Sequence, residues 1–491
     1  MNKPNIIFIL ADDLGAWALH CAGTKELHTP NIDRLANEGM RFENFFCASP
    51  VCSPARASIL TGTIPSAHGV HDWLRGGNVD PEKYTEGGSK NPYSGSRDEG
   101  TPIQYLKDMV CYTDLMRECG YNIALSGKWH LGDSVHPQHG FSKWYTIGKG
   151  GCNYYHPDIV EGDMIHVHHG EYITDLITDK AVEFIDELNG ENAPFYLSVH
   201  YTAPHAPWGR GQHPERLIDM YDSCTFDEIP NVPDHVNSTT SNGQTDPIYG
   251  TPKRHENLRG YYAAITAMDE GVGRILEKLD ALNLTDNTVV IFTADNGMSM
   301  GHHGIWGKGN GTFPMNMYDT AVKVPFIIRW PGHTPEGYVT DAMVSAYDIF
   351  PTLSEIIGSK SKAHMNLPGK SFLKTLLGEE DAQDGEVVVF DEYGPVRMIR
   401  TKKLKYVHRY PYGPNELFDL ENDPGEEINL IDREDMQETI IEMRARLQKW
   451  FVAYADPMKD GIHEGVTGSG QMCSAGVYAE REVKYAPIEW R

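Results

Sequence analysis

Two adjacent carboxylates, Asp12 and Asp13, follow the uncharged run Asn5–Ala11. A second pair, Asp295 and Asn296, follows the apolar run Thr288–Ala294, and His200 and His205 come at and after the end of Phe195–His200. Polar groups at the exits of apolar strands meet in space when those strands lie side by side, because ligands of open α/β sheets bind outside the carboxyl ends. Three carboxylates and one amide oxygen form a hard oxygen site for Ca²⁺, with Mg²⁺ the alternative. Taken alone, Asp12-Asp13 also reads as a capped turn; the second pair tips the reading to metal. His71, Lys128 and His130 occupy similar exit segments, and the glycine-rich stretch 297–311 carries His302, His303 and Lys308. Histidine is the usual proton-transfer group near neutral pH, and lysine is a point charge suited to an anion. The histidine-rich run 164–169 reads instead as an exposed strand or loop.

The elements that must position these groups alternate. Strands are expected at 5–11, 41–47, 121–126, 195–200, 288–294 and 324–330. Helices are expected at 29–39, 53–62 (with Pro54 in its first turn), 102–118, 174–188, 258–282 and 348–357. This alternation predicts an α/β domain with a large, mainly parallel sheet sandwiched by helices over 1–385. Short strands then crowd together at 387–391, 396–400 and 404–408, followed by a helix at 433–453. They predict a smaller α+β domain with an antiparallel sheet over 386–491. Its tail, from 460, either wraps back over the first domain or is mobile. The polar stretches 76–100 and 206–256 read as surface loops, the second as a substrate rim.

Composition narrows the classes. The 491 residues suffice for two to four domains. A formal net charge of −26, from 69 acidic and 43 basic side chains, repels nucleic acid and acidic membranes. It leaves room for an anionic small molecule in a local cationic pocket. The apolar stretch 6–11 runs straight into Asp12-Asp13, too short for a secretory signal or a membrane span, so the chain reads as cytoplasmic. Eight scattered cysteines, with no CxxC pair, give neither a disulfide scaffold nor zinc-finger spacing. The oligomeric state stays open.

The most specific string is Cys52-Ser53-Pro54-Ala55-Arg56, with Leu60-Thr61-Gly62 close behind. It resembles the signature of the type I sulfatases of the alkaline phosphatase-like superfamily. The likeness extends to the opening Pro4-to-Asp13 segment, 29–35, Gly127-Lys128-Trp129-His130, Pro204-His205, 293–297 and 415–420. The resemblance implies the alkaline phosphatase/sulfatase-like fold and hydrolysis of a sulfate ester. It implies oxidation of Cys52 to Cα-formylglycine by a maturation enzyme. One hydroxyl of the hydrated aldehyde would attack sulfur, and deprotonation of the other would expel sulfate. It implies one Ca²⁺ held by Asp12, Asp13, Asp295 and Asn296. Arg56 would steady the formylglycine, and Lys128, His130, His205 and Lys308 would line the sulfate pocket. His205 or Lys308 would protonate the leaving oxygen, and His130 would take the proton during release. A phosphate or phosphonate ester hydrolase is the rival within the superfamily; the single-metal pattern favours sulfate. For the substrate, the long polar segments favour a sulfated mono- or oligosaccharide over an aryl or choline ester. Trp73, Arg75, Trp208 and Arg210 are the candidates to grip it, with His71 and His303 beside them.

Overall fold

The computed structural model describes residues 3–85, 99–239, 247–360, 366–379, 388–477, 479 and 483–488. Strand β1 (Asn5–Ala11) is buried along its whole length, as an uncharged run with no alternation requires. It lies at the centre of a ten-stranded sheet. The other members are β2 (Met40–Phe46), β3 (Asn122–Gly127), β4 (Lys143–Ile147), β5 (Asp158–Glu161), β6 (Met164–Val167), β7 (Phe195–His200) and β8 (Thr288–Ala294). After a two-residue ribbon, β9 (Ser299–Met300) with β10 (Trp306–Gly307), come β11 (Phe326–Arg329) and β12 (Tyr338–Ser345). The order is β12-β2-β11-β8-β1-β7-β3-β4-β5-β6.

The centre, β8-β1-β7-β3-β4, is parallel. Its flanks depart from the expected pattern: β11 runs antiparallel to both neighbours, and β4, β5 and β6 form an antiparallel edge. Short turns join β5 to β6, and a parallel crossover needs a dozen or more residues. The run 164–169 is therefore a strand followed by a loop, with Ile165 and Val167 inward. Helices Ile173–Asn189, Pro252–Ala281 and Pro30–Asn37 pack into one layer, and Cys52–Thr61, Tyr112–Glu118 and Ile349–Ile356 into another. The helix expected over 102–118 starts only at Tyr112. A capping box fixes that start: the Cys111 backbone N–H donates to Asp114 at 2.9 Å. Among the described residues, no helix is long and apolar enough to cross a membrane.

A separate four-stranded antiparallel sheet contains β13 (Val388–Tyr393), β14 (Val396–Arg400), β15 (Leu404–Arg409) and β16 (Glu416–Asp419), in that order. Helix Gln437–Tyr454 buries Met443, Leu447 and Phe451 against it. The expected boundary near 385 lies outside the described residues, as do 86–98 and 240–246 of the two polar segments. The tail turns back: Gln471 bridges to Leu74, and the Arg75 N–H donates to the Gln471 carbonyl at 2.8 Å.

Candidate active site

Parallel register brings the strand exits together. Ala11 pairs with Ala294, Leu10 with His200, and Gly127 with His200. Backbone bonds continue past the strand ends: Asp12 N–H to the Ala203 carbonyl (3.0 Å), Asp295 N–H to Ala11 (3.1 Å) and Lys128 N–H to His200 (2.8 Å). Asp12, Asp13, Asp295, Asn296, Lys128 and His130 therefore converge at one edge of the sheet. Two of them hold left-handed backbone, Asp13 at φ 64° and His130 at φ 55°.

Cys52 opens the helix Cys52–Thr61, all of whose residues are buried. The helix N-terminus presents unpaired N–H groups and a partial positive charge there. Arg56, one turn on, projects from the same face. Its Nε donates to Asp295 Oδ2 at 2.8 Å and its Nη1 to the Lys128 carbonyl at 3.0 Å, while Nη2 lies 3.9 Å from Asp12 Oδ1. Lys128 Nζ sits 2.5 Å from Asp12 Oδ2. Lys308 Nζ bonds Asp13 Oδ1 and lies 2.8 Å from Cys52 Sγ. His205 Nε2 is 3.7 Å from Asp13 Oδ2, and Asn296 Nδ2 donates to Asp13 Oδ1 at 2.9 Å.

The charges nearly cancel: three aspartates face Arg56, Lys128 and Lys308. A divalent cation would turn this neutral cluster positive, which a sulfate monoester needs inside a chain of net charge −26. The residues fit such an ion. Asp12 Oδ1 and Asn296 Oδ1 are buried without a hydrogen-bond partner, a costly state for oxygen acceptors unless a cation satisfies them. Ligand atoms of Asp12, Asp13 and Cys52 lie within 4.8 Å of one another.

Burial opposes ionisation of Asp12, yet Lys128 and His205 overcome it and hold this carboxyl below its ordinary range. Asp13 is likewise lowered: burial opposes its charge, and Lys308 prevails. Asp295 is raised, by burial and by the charge of Asp12. Burial pushes the Cys52 thiol up to about 12, Lys128 and Lys308 offsetting only part of it. The unmodified residue is therefore a neutral thiol, a poor nucleophile. Burial, aided by Lys128, drives His130 well below the usual histidine range.

His130 Nε2 lies 3.0 Å from the Leu74 carbonyl, and its Nδ1 is buried without a partner. A Cβ at Gly150 would overlap the His130 ring, and one at Gly151 would meet the His205 ring at 3.6 Å. These two glycines form a wall that the sequence reading missed; the run Gly148-Lys149-Gly150-Gly151 was its only signal.

Four residues read as substrate contacts are engaged by other groups of the protein. Trp208 is 3% exposed, edge-on to Tyr261, with its Nε1 donating to the Pro204 carbonyl at 2.8 Å; it is a core residue with no face for a sugar. His71 is fully buried and 2.8 Å from the Lys459 carbonyl. Arg210 is ion-paired to Glu215, Asp219 and Asp222, so its guanidinium is satisfied by the protein. His303 stacks on Tyr318 with ring centroids 3.8 Å apart. Trp73 and Arg75, by contrast, are half-buried and flank Leu74, whose carbonyl meets His130. The stretch 235–239 lies along the Lys308 loop, through bonds from His235 N–H to the Gly304 carbonyl and from Thr239 N–H to Gly311.

The sulfatase family model matches residues 4–359, and the model of the C-terminal part of N-sulphoglucosamine sulphohydrolase matches 301–452. An ulvan-active sulfatase from Formosa agariphila is 29% identical over 93% of this chain and 83% of its own length. An N-acetylglucosamine-6-O-sulfatase from Bacteroides thetaiotaomicron is 26% identical over 93% and 87%. A protein solved in complex with its substrate D-glucosamine-2-N,6-O-disulfate superposes with a TM-score of 0.74 at 25% identity, covering 94% of this chain and all of that one. With the family model spanning most of the chain and the strand exits converging as they do, the chain belongs to the sulfatase family and is a sulfuric ester hydrolase.

Proposed function

We propose that the enzyme cleaves a sulfate ester on a sulfated mono- or oligosaccharide, with Cys52 oxidised to formylglycine and one Ca²⁺, or alternatively Mg²⁺, in the site. The observation that carries this reading is the contact of Lys308 with both Cys52 and Asp13, within a ring of three buried aspartates. Asp12, Asp13, Asp295 and Asn296 would hold the cation, which supplies Lewis-acid charge at the ester oxygens. The aldehyde hydrate at residue 52 supplies a hydroxyl nucleophile and a built-in means of release. Arg56, fixed by Asp295 and by the Lys128 carbonyl, orients residue 52 from one helical turn away. Lys128 and Lys308 face the sulfuryl oxygens and offset charge that grows in the transition state. His130, kept neutral, has a free Nδ1 to accept a proton. His205, its Nε2 turned toward Asp13, donates one to the leaving oxygen; Lys308 is the other donor within reach.

Two relatives support the substrate class by their names, an ulvan-active sulfatase and an N-acetylglucosamine-6-O-sulfatase. The test is kcat/KM on sulfated mono- and disaccharides, an aryl sulfate, choline sulfate and a phosphonate monoester. A sugar sulfate is expected to lead. An aryl or choline ester ahead of every sugar overturns the saccharide reading, and a dominant phosphonate activity overturns the preference for sulfate.

A further inference from the structure

The tail beyond residue 452 lies outside both matched family models, yet it reaches the Lys308 loop and the strip Trp73–Arg75. The Gly468 carbonyl accepts Trp73 Nε1 at 3.2 Å and Asn310 Nδ2 at 3.1 Å, and Asn310 is two residues from Lys308. The Ser469 carbonyl accepts Arg75 Nη1 at 3.3 Å. Gly468 and Gly470 hold φ of 77° and 116°, where a side chain is strained. A Cβ on Gly470 would also press on Arg75 Cβ at 2.8 Å and the Trp73 ring at 3.1 Å. Glycine thus lets bare backbone lie flush against both side chains.

One buried carboxylate pins this segment. Asp72 accepts the N–H groups of Gly468 and Gly470, each at 3.1 Å, its neighbour Trp73 N–H at 2.8 Å, and the Tyr393 hydroxyl at 2.5 Å. Between Trp73 and Arg75, Leu74 ties the strip to the reaction centre: its N–H donates to Ser53 Oγ at 3.0 Å, next to Cys52, and its carbonyl meets His130.

Arg75 is unusual in its charge surroundings. Acidic side chains outnumber basic ones by 69 to 43. Arg210, for comparison, engages three carboxylates. Among the described residues, Arg75 has no carboxylate within ion-pair distance; its protein partner is one carbonyl. A guanidinium carries five N–H donors, so most of its fork meets no partner among the described residues. Such a fork binds carboxylate or sulfate oxygens in pairs.

We propose that Arg75 binds a second anionic group on the sugar, a sulfate or a carboxylate, and that Asp72 positions it by pinning the tail segment Gly468–Gly470 beside it. Trp73, half-buried beside it, would contact the same sugar. This rests on the saccharide reading above and adds to it a preference for doubly anionic substrates.

The experiment uses the full-length, matured enzyme and two matched substrate pairs. One pair is a monosulfated sugar and its disulfated counterpart; the other is a sulfated uronate-containing disaccharide and its carboxyl-reduced form. The readout is the ratio of kcat/KM within each pair. Wild type is expected to favour the doubly anionic member, and the pair with the larger ratio identifies sulfate or carboxylate as the recognised group. Arg75→Ala should lower that ratio about tenfold, mainly through KM, with Arg75→Lys in between. Gly470→Ala and Asp72→Asn, checked for folding by circular dichroism, should lower it in the same direction. Equal losses on both members of the pair in Arg75→Ala, or no loss, overturn the assignment while the saccharide reading stands. An unchanged ratio in folded Gly470→Ala and Asp72→Asn overturns the role of the tail. A wild-type enzyme inactive on every sugar but active on aryl sulfate overturns the saccharide reading and this inference with it.

Discussion

Lys308 is 256 residues from Cys52 in sequence, yet its Nζ lies 2.8 Å from Cys52 Sγ while bonding Asp13. One ammonium thus touches both the nucleophile position and the candidate metal cluster. Lys308→Ala is expected to lower kcat about 100- to 1000-fold, the range seen when a group that stabilises transition-state charge is removed. Steady-state kinetics on a fast substrate checks it; a loss confined to KM would assign Lys308 to binding alone.

Activity should follow the state of residue 52. The side chain is 2% exposed, and burial holds the thiol near 12. Protein produced without a maturation enzyme should be inactive, and its Cys52 should resist alkylation until the chain is unfolded. Peptide mass spectrometry run beside the assay checks this: turnover should scale with the converted fraction. Full activity from protein bearing only the thiol would sink the formylglycine reading.

Chelation should remove activity and lower the unfolding temperature together. Without the ion, Asp12 Oδ1 and Asn296 Oδ1 lack partners, so a bound cation stabilises the native state by mass action. Adding back Ca²⁺ should restore both properties in the wild type and neither in Asp13→Ala. Elemental analysis that finds zinc in place of Ca²⁺ or Mg²⁺ would contradict a hard oxygen site.

Arg56 is expected to matter for stability as well as catalysis. It is buried with Asp295, and its removal leaves a buried carboxylate without its hydrogen-bonded cation. Arg56→Ala should cost about 3–5 kcal/mol of unfolding free energy in urea titrations. Arg56→Lys keeps a charge but loses the fork that reaches Asp295 and the Lys128 carbonyl at once, so it should rescue little activity.

A pH signature should come from Asp269, which is not one of the candidate site residues. It accepts the Ile32 and Asn31 N–H groups at 2.7 and 3.0 Å and so anchors the start of helix Pro30–Asn37. Burial raises its carboxyl to about 6, with these hydrogen bonds opposing the shift. Because the folded value lies above the unfolded one of about 3.9, its contribution is complete below pH ~4 and is lost as pH rises through ~6. Urea midpoints across that range should fall less steeply with pH in Asp269→Asn than in wild type. The variant should also be weaker overall by about 1–3 kcal/mol, since the other carboxylate oxygen, Oδ2, accepts Asn31 Nδ2 at 2.8 Å and an amide NH2 in its place cannot accept.

The cluster was legible because its chemistry sits at sharp boundaries: charge directly after seven uncharged residues at Asp12, and again at Asp295. The string from Cys52 to Arg56 places two groups on one helical face by spacing alone. The parallel centre followed from alternating elements, but the antiparallel edges did not, because short strands such as 158–161 carry little periodic signal. The burial of Trp208 and the three carboxylates around Arg210 were not legible, because residue type does not reveal which way a ring or a guanidinium is turned. The pin at Asp72 was invisible for another reason: its Gly468 partner is 396 residues away, and nothing local marks the pair.

The left-handed backbone at Asp13 and His130 sets a limit on how stable this protein can become. Each conformation costs an L-residue on the order of 1–2 kcal/mol, which glycine would not incur. Relief by glycine would delete a carboxylate beside Lys308 in one case and the imidazole beside Leu74 in the other. Selection for thermal robustness and selection for turnover therefore pull in opposite directions at these two positions. A heat-stable variant of this enzyme is best sought on the far side of the sheet from them.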